Sequence, residues 1–364
     1  MSVARVSSAG VAVRRLTRPL ALSTLALALV VVLAAGIGSV PIGPGEVLAA
    51  TGRGLETSLR GVLGLAPTVE EAGLDAGRRV ADTIVWRIRL PRVALAALVG
   101  AALALAGAGF QGVFRNPLAD PYLLGAASGA GFAASLVMVG GGTVALLGRF
   151  GVPLAAFVGA TATVVVVVAL ARRGWTLPVV PLVLAGVVVG SCLTAGTSFV
   201  LLAAREQAAG ILTWLLGSFA FASWERVGSV LPLLVVAGAG LLAAARALDV
   251  LQLGERAAAQ LGVPVEALKL TVVAAGTLAT AAAVSVAGVI GFVGLVVPHA
   301  VRLALGPDHR RLVPIAALWG AGFMVLADLV ARTVIAPAEL PVGVVTALVG
   351  APFFLVLLRR GSPQ

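Results

Sequence analysis

The sequence predicts an all-α integral membrane protein with ten transmembrane helices, both termini in the cytoplasm, and a short cytoplasmic helix between the sixth and seventh spans. Three observations support this prediction. Of the 364 residues, 60% are hydrophobic and only 11% are charged, whereas a soluble domain carries about 25% charged residues. Ten apolar segments approach the roughly 20 residues that a hydrocarbon core of about 30 Å requires. Positive charge is also divided unevenly between the segments that connect them.

The composition argues against several kinds of site. A single cysteine, Cys192, allows neither an intramolecular disulfide nor a multi-cysteine metal site. We expect no cofactor and no bound metal, because His299 and His309 lack metal-ligand spacing and nearby cysteine or carboxylate partners. The formal charge of +11 comes largely from arginines at span ends, so it does not indicate a nucleic-acid partner.

The N-terminal segment, residues 1–18, is predicted to be a cytoplasmic tail, since it carries four arginines and no acid. The apolar run that follows, 19–39, is too long for a typical signal-peptide core, and we interpret it as an uncleaved first span. Residues 19–360 then form one ten-span domain. Its longest connection is an extracytoplasmic loop over 40–92, with an acidic insert near 52–82 to which the sequence assigns no role.

The other nine spans follow from the same length criterion. They are predicted over 93–113, 123–140, 152–170, 181–203, 227–247, 268–287, 288–305, 313–331 and 342–358. Residues 206–224 are amphipathic and only moderately apolar, which predicts a short helix at the outer surface rather than a span.

The orientation follows from the basic residues outside the long first loop. One side carries 15 of them and the other carries four, and the excess marks the cytoplasmic side. The cytoplasmic set is Arg5, Arg14, Arg15, Arg18, Arg115, Arg172, Arg173, Arg246, Arg256, Lys269, Arg302, Arg310, Arg311, Arg359 and Arg360. The outer set is Arg149, Arg205, Arg226 and Arg332.

The cytoplasmic stretch 249–268 has a helical pattern of its own. Val250, Leu253, Ala257 and Leu261 recur at steps of three and four, which predicts one apolar face. Gly262, followed by Val263 and a proline, predicts the end of that helix. The pattern fits a helix resting on the membrane surface, and it equally fits a docking element for a soluble partner.

The sequence shows no energy source for transport. The Walker A pattern is absent, because the lone lysine, Lys269, is followed by leucine. Asp328 is the one acid well inside a predicted span, and Arg332 lies four residues on, where the two can pair. A secondary carrier usually needs an ionisable site in mid-membrane, so a transporter of this composition must take its energy from elsewhere, through a docking element such as 249–268. Nucleophilic catalysis has no support, and we expect no enzyme.

Seven blocks of sequence resemble the FecCD permeases, the membrane subunits of type II ABC importers for iron-siderophores, haem and cobalamin. They are RLPR (89–92), NPLADPYLLGAASGAG (116–131), LVLAG (182–186), LGERAAAQLGV (253–263), GVIGFVGLVVPHAVRLALGPDHRRLVP (288–314), ADLVAR (327–332) and ELPVGVVTALVGAPFFLVLL (339–358).

The resemblance implies a permease subunit in the bacterial cytoplasmic membrane. Its partners are then a second permease, identical or different, two cytoplasmic ABC ATPase subunits, and an extracytoplasmic substrate-binding protein. The cargo implied first is an iron-siderophore, with haem and cobalamin as alternatives. A stand-alone secondary transporter is the remote alternative.

The resemblance also implies three sets of functional residues. The stretch at 249–268 becomes the ATPase coupling element, which decides between its two interpretations. Its contact residues are Leu253, Gly254, Glu255, Ala259, Leu261 and Gly262. The binding protein is expected to dock on Arg89, Arg92 and Arg332, which otherwise fit interfacial snorkelling arginines.

The third implied set is a cytoplasmic gate formed by Asn116 and Leu118. Asn116 is expected to cap a neighbouring helix, and Leu118 is expected to exclude water from the exit. A second gate turn, 177–180, reads LPVV and lacks the polar residues usual in the family. That departure leaves the polar part of the gate unassigned.

Overall fold

The computed structural model describes residues 4–38, 40–63, 80–140 and 148–359, and the regular elements within these ranges are all helical. In chain order the α-helices are α1 (Ala4–Gly36), α2 (Pro44–Val62), α3 (Leu90–Phe114), α4 (Ala126–Gly140), α5 (Gly151–Ala171), α6 (Val179–Ala203), α7 (Ala208–Leu215), α8 (Trp224–Leu251), α9 (Glu255–Gln260), α10 (Val265–Ala287), α11 (Val293–Leu305), α12 (His309–Thr333) and α13 (Val342–Arg359).

Ten of these helices coincide with the ten predicted spans. Seven of them, α1, α3, α5, α6, α8, α10 and α12, are long and apolar enough to cross a membrane. The three shorter apolar helices are α4, α11 and α13. The all-α membrane fold is therefore confirmed, while the count of ten spans and the orientation of the termini stay predictions.

Several predicted boundaries differ from the structure. The eighth span was expected from residue 288, but α11 begins at Val293, because Gly288 and Phe292 adopt left-handed φ angles of 74° and 69°. The third span was expected from residue 123, where the structure has a 3-10 turn, Pro121–Leu124, before α4. At the N-terminus α1 already begins at Ala4, inside the predicted tail.

The predicted outer loop, 40–92, is largely helical where it is described. Helix α2 packs on α1 through a small apolar cluster that includes Ala35, Ile42 and Val47. The chain then enters α3 through π-helical turns, Thr83–Arg89, which hold Arg89 beside the end of α1. Most of the predicted acidic insert near 52–82 lies outside the described residues.

Helix α3 is the centre of the packing. It contacts α8, α10, α11 and α12, and every residue from Ala102 to Phe114 is buried. Small residues let its backbone approach its neighbours, as in other membrane helix pairs. A Cβ added at Gly107 would lie 1.8 Å from the carbonyl oxygen of Gly294, and one added at Gly100 would lie 2.1 Å from that of Gly320.

We expect Gly107→Ala to destabilise the protein by about 1–3 kcal/mol, because the added methyl overlaps the backbone of α11. Thermal unfolding in detergent measures the loss. The matched control is Gly228→Ala in α8, where the added carbon has no neighbour within 4 Å. That change should be neutral or slightly stabilising. Equal melting temperatures for the two variants would contradict the close contact.

Candidate functional site: docking surfaces and gate

In the Arg92 cluster, Arg92 and Arg332 contact two acids and Arg89 lies beside Arg332. The Arg92 guanidinium contacts Asp328 and Glu339, each at 2.8 Å. Asp328 is buried, whereas the Glu339 side chain is 40% exposed. The expected pair of Asp328 and Arg332 is present at 3.7 Å, but the shorter bonds of Asp328 go to Arg92. Glu339 begins the family-like block 339–358, but sequence reasoning did not indicate that its carboxylate would meet Arg92.

The other two arginines hold the end of α1. Arg89 donates to the carbonyl oxygens of Ala35 and Gly36 at 2.9 and 3.0 Å, and Arg332 donates to that of Ala34. The last carbonyls of a helix lack partners within the helix, so these contacts explain the placement. Arg89 is only 5% exposed, unlike a snorkelling arginine with its head in water. Arg89 contacts backbone carbonyl oxygens rather than an acid. The three arginines and two carboxylates together still carry a net positive charge.

The NPLA turn is ordered by its own side chains. Helix α3 ends at Arg115, whose left-handed φ of 48° turns the chain back. The Asn116 side-chain oxygen accepts from the Leu118 amide at 2.9 Å. The Asn116 side chain therefore closes the turn, while its backbone amide donates to the carbonyl oxygen of Gln111 at 3.2 Å and so closes the end of α3. The Leu118 side chain is exposed, as a water-excluding plug at an exit requires.

Asp120 caps the element that follows the NPLA turn. Its carboxylate accepts from the Tyr122 amide at 2.7 Å and begins the 3-10 turn. Burial raises the pKa of the Asp120 carboxyl above its ordinary value, and the bond from Tyr122 opposes that rise. The Tyr122 hydroxyl donates to the carbonyl oxygen of Ile290 at 3.0 Å, which ties the turn to the segment before α11. Sequence reasoning passed over both residues, although Tyr122 is the one tyrosine of the chain.

A cleft of about 520 Å³ lies between this turn and α6. Polar groups in its wall are Asp120, Ser128, Ser191 and Thr194. The Ser128 and Thr194 hydroxyls lie 3.1 Å apart and link α4 to α6. Much of α6 is exposed, including apolar side chains along its length. The cleft thus places hydroxyl groups on a face of the subunit that is otherwise apolar.

The stretch 249–268 is not one amphipathic helix. Helix α8 continues to Leu251, and α9 starts anew at Glu255 after Gly254, whose φ of 104° interrupts the helix. The predicted apolar face of Val250, Leu253, Ala257 and Leu261 is consequently not the buried face. Leu253 and Leu261 are 68% and 66% exposed. The break rotates the second helix relative to the first, so one periodicity cannot describe both.

The end of α9 is as predicted. Gly262 has a φ of 83°, and its amide donates to the carbonyl oxygen of Ala259 at 3.0 Å. The Val263 amide donates to the carbonyl oxygen of Ala258, also at 3.0 Å. These two bonds form a Schellman motif, the usual glycine-dependent end of a helix.

The predicted coupling residues divide between two sides of α9. Leu253, Ala259 and Leu261 are exposed. The Glu255 carboxylate instead lies 2.8 Å from Nζ of Lys269 on α10. The apolar residues are thus free to contact a partner, whereas Glu255 is held against its own subunit.

The histidines form no metal centre within the described ranges, where no group of three or more metal-ligating side chains occurs. His309 nevertheless has a carboxylate partner, because its Nδ1 lies 2.7 Å from Asp249. That carboxylate lies 60 residues earlier in the chain, so sequence spacing did not indicate the contact.

Comparisons with known proteins agree with one another. The sequence profile of the FecCD transport family matches residues 25–360. The cobalamin import system permease protein BtuC of Halobacterium salinarum is 48% identical over 279 residues, covering 77% of this chain and 74% of that protein. The hemin transport system permease protein HmuU of Yersinia pestis is 42% identical over 287 residues, covering 77% and 84%. A solved metal-chelate type ABC transporter in an inward-facing conformation aligns with a TM-score of 0.79 at 30% identity, covering 94% of this chain and 99% of that one.

Proposed function

This chain belongs to the FecCD transport family, and on that premise we propose that it is the permease subunit of an ATP-driven ABC importer of a metal chelate. The observation that carries the proposal is the family match over nearly the whole chain, together with relatives named as permeases of import systems. The subunit works with a second permease, two ABC ATPase subunits and an extracytoplasmic binding protein. It hydrolyses no ATP itself.

The subunit crosses the bacterial cytoplasmic membrane ten times, with both termini inside. The concentration of basic residues on one side supports this orientation. It places α9 and the NPLA turn in the cytoplasm and the Arg92 cluster outside. Each of the proposed contact surfaces then lies on the side where its partner is found.

The cleft beside α6 is proposed as part of the path of the chelate. A hydroxyl-bearing face is costly against lipid, because hydrocarbon offers no hydrogen bonds. A second permease packed near this face encloses the cleft and makes it a water-accessible path. Leu118 closes the path at its cytoplasmic end, and the asparagine turn around Asn116 holds that leucine in place.

Two surfaces receive the partner proteins. Leu253, Ala259 and Leu261 form the ATPase contact, with Gly254 and Gly262 setting the ends of α9. The net positive Arg92 cluster receives acidic side chains of the binding protein. Charge pairs of this kind accelerate encounter and set register more than they add affinity.

The cargo is proposed to be a metal chelate of the iron-siderophore, haem or cobalamin class. Iron-siderophore was the first expectation from the family. The relatives BtuC and HmuU are named for cobalamin and hemin, so these two compounds are the first to test. Binding of each chelate to the partner binding protein, measured by calorimetry, discriminates among the three.

We expect uptake into proteoliposomes to fall to background when the ATPase partner carries an inactivating substitution of its catalytic glutamate. The physical reason is that Asp328, the acid inside a predicted span, is held by Arg92 and Arg332, and a carboxylate paired in this way is a poor proton carrier. The measurement is accumulation of radiolabelled chelate with the intact and the inactive ATPase. Uptake that persists with the inactive ATPase would favour a secondary carrier.

A further inference from the structure

The lone lysine of the sequence, Lys269, lies near the start of α10 and is 2% exposed. Its ammonium donates to Glu255 at 2.8 Å, to Glu266 at 3.1 Å, and to the carbonyl oxygen of Leu177 at 3.2 Å. An ammonium has three donors, so each has a partner. These partners belong to α9, to α10, and to the turn that precedes α6.

The Leu177 peptide group is held from both sides. Its carbonyl oxygen accepts from Lys269, and its amide donates to the second oxygen of Glu266 at 2.6 Å. Leu177 begins the LPVV turn, and its side chain is buried. The turn lacks polar side chains of its own, but α10 supplies a lysine and a glutamate that bind its backbone. Polar groups do contact this turn, but they come from Glu266 and Lys269, which lie 89 and 92 positions further along the chain.

Lys269 thus hydrogen-bonds both to Glu255 of α9 and to Leu177 in the turn between α5 and α6. The Lys269 ammonium is buried whereas the Glu255 carboxylate is 39% exposed. Separating the two would leave a buried ammonium with one partner fewer, which disfavours their separation. A shift of α9 that carries Glu255 with it consequently pulls on Lys269 and on the Leu177 peptide. Helix α6 begins two residues later, at Val179, and further along it bears the hydroxyl groups of the cleft.

We propose that Lys269 is a positioning residue that transmits displacement of α9 to the turn at 177–180 and so to the cytoplasmic end of α6. The inference rests on the proposed function, in which α9 receives the ATPase. It adds a specific mechanical connection from that contact to the second gate turn. Lys269 itself contacts neither the ATPase nor the chelate.

The test uses the assembled transporter in proteoliposomes, with ATP hydrolysis and cobalamin uptake measured in the same vesicles. Lys269→Met should leave the ATPase bound and hydrolysing, while uptake per ATP falls about tenfold, within the usual range of coupling between sites. Lys269→Arg keeps a cation and should restore most of the ratio. The control is Arg60→Met, which removes an exposed ion pair with Glu56 on α2 and should leave the ratio unchanged.

Hydrogen exchange of the segment around Leu177 distinguishes transmission of movement by Lys269 from a purely structural role. Only transmission makes the exchange rate depend on nucleotide. In the unsubstituted transporter, exchange of the Leu177 amide should change when nucleotide binds to the ATPase. In Lys269→Met it should be faster and insensitive to nucleotide. Exchange that ignores nucleotide in the unsubstituted protein would overturn the proposal, as would an unchanged uptake-to-ATP ratio in Lys269→Met.

Should Lys269→Met fail to assemble, Glu266→Gln carries the test. The amide oxygen of glutamine still accepts from Leu177, while the charge facing Lys269 is lost, so the ratio should fall a few-fold. A ratio equal to that of the unsubstituted protein would overturn the proposal. Failure of the unsubstituted chain to bind any ATPase contradicts the proposed function instead, so the two outcomes are distinct.

Discussion

Truncating Leu261 to alanine should weaken binding of the ATPase subunits by about 2 kcal/mol, or roughly thirtyfold in Kd, if the leucine is buried in the contact. The leucine is 66% exposed in the subunit, so the change removes apolar area from the interface and little from the core. Leu253→Ala should act in the same direction. The measurement is the amount of ATPase that co-purifies with the permease, followed by titration of ATPase in detergent.

The control for this prediction is Leu22→Ala on α1, because Leu22 is 67% exposed and far from α9 in the chain. Its co-purification should equal that of the unsubstituted protein. Glu255→Gln separates a second role, since its carboxylate contacts Lys269 rather than the outer face of α9. It should affect uptake per ATP more than ATPase binding. Full retention of the ATPase by the Leu253, Leu261 double variant would contradict the coupling surface.

Reversing two charges at the Arg92 cluster, Arg89→Glu with Arg332→Glu, should reduce the affinity of the permease for its binding protein about tenfold or more at low salt. Uptake should fall with it. The reversal turns a net positive cluster into a negative one, which repels the acidic partner surface. The loss should shrink as salt rises, because the Debye length falls from about 10 Å at 0.1 M to about 3 Å at 1 M. Affinity measured at both salt concentrations checks the direction.

The structure adds two controls to this experiment. Arg89 binds the end of α1, so reversal also leaves helix carbonyls without donors, and melting temperatures must accompany the affinities. Arg89→Gln keeps a donor while removing the charge. Glu339→Gln should do the opposite of the reversal and raise affinity, because it removes an acid that occupies Arg92. A reversal without effect at either salt concentration would return the arginines to a structural role.

The membrane class and the approximate positions of the helices were predictable from the sequence. Hydropathy is a property of each segment alone, since a lipid-exposed helix satisfies its backbone internally and needs only apolar side chains. The family resemblance was also visible in the sequence, because each of its motifs is an unbroken run of residues. The ends of α9 show the same local control, where Gly262 stops the helix as its neighbours in sequence indicate.

The side-chain partners were not predictable, because they come from distant parts of the chain. Arg92 meets Asp328 across 236 positions, and Lys269 meets Leu177 across 92. For Asp328, the local pattern suggested Arg332, four residues away, as the partner. For residues 249–261, it suggested one continuous helix. The first expectation named a weaker partner, and the second missed the break at Gly254.

The sequence by itself determined that this chain is a multi-span permease with a polar, glycine-bounded stretch at 249–268. Only the tertiary structure decided that Leu261 faces outward while Glu255 faces Lys269, and that Arg89 holds the end of α1. The physical reason is that solubility in lipid sums over residues one segment at a time. The choice of partner for a charge depends instead on which helices pack together, and here the small residues of α3 set that packing.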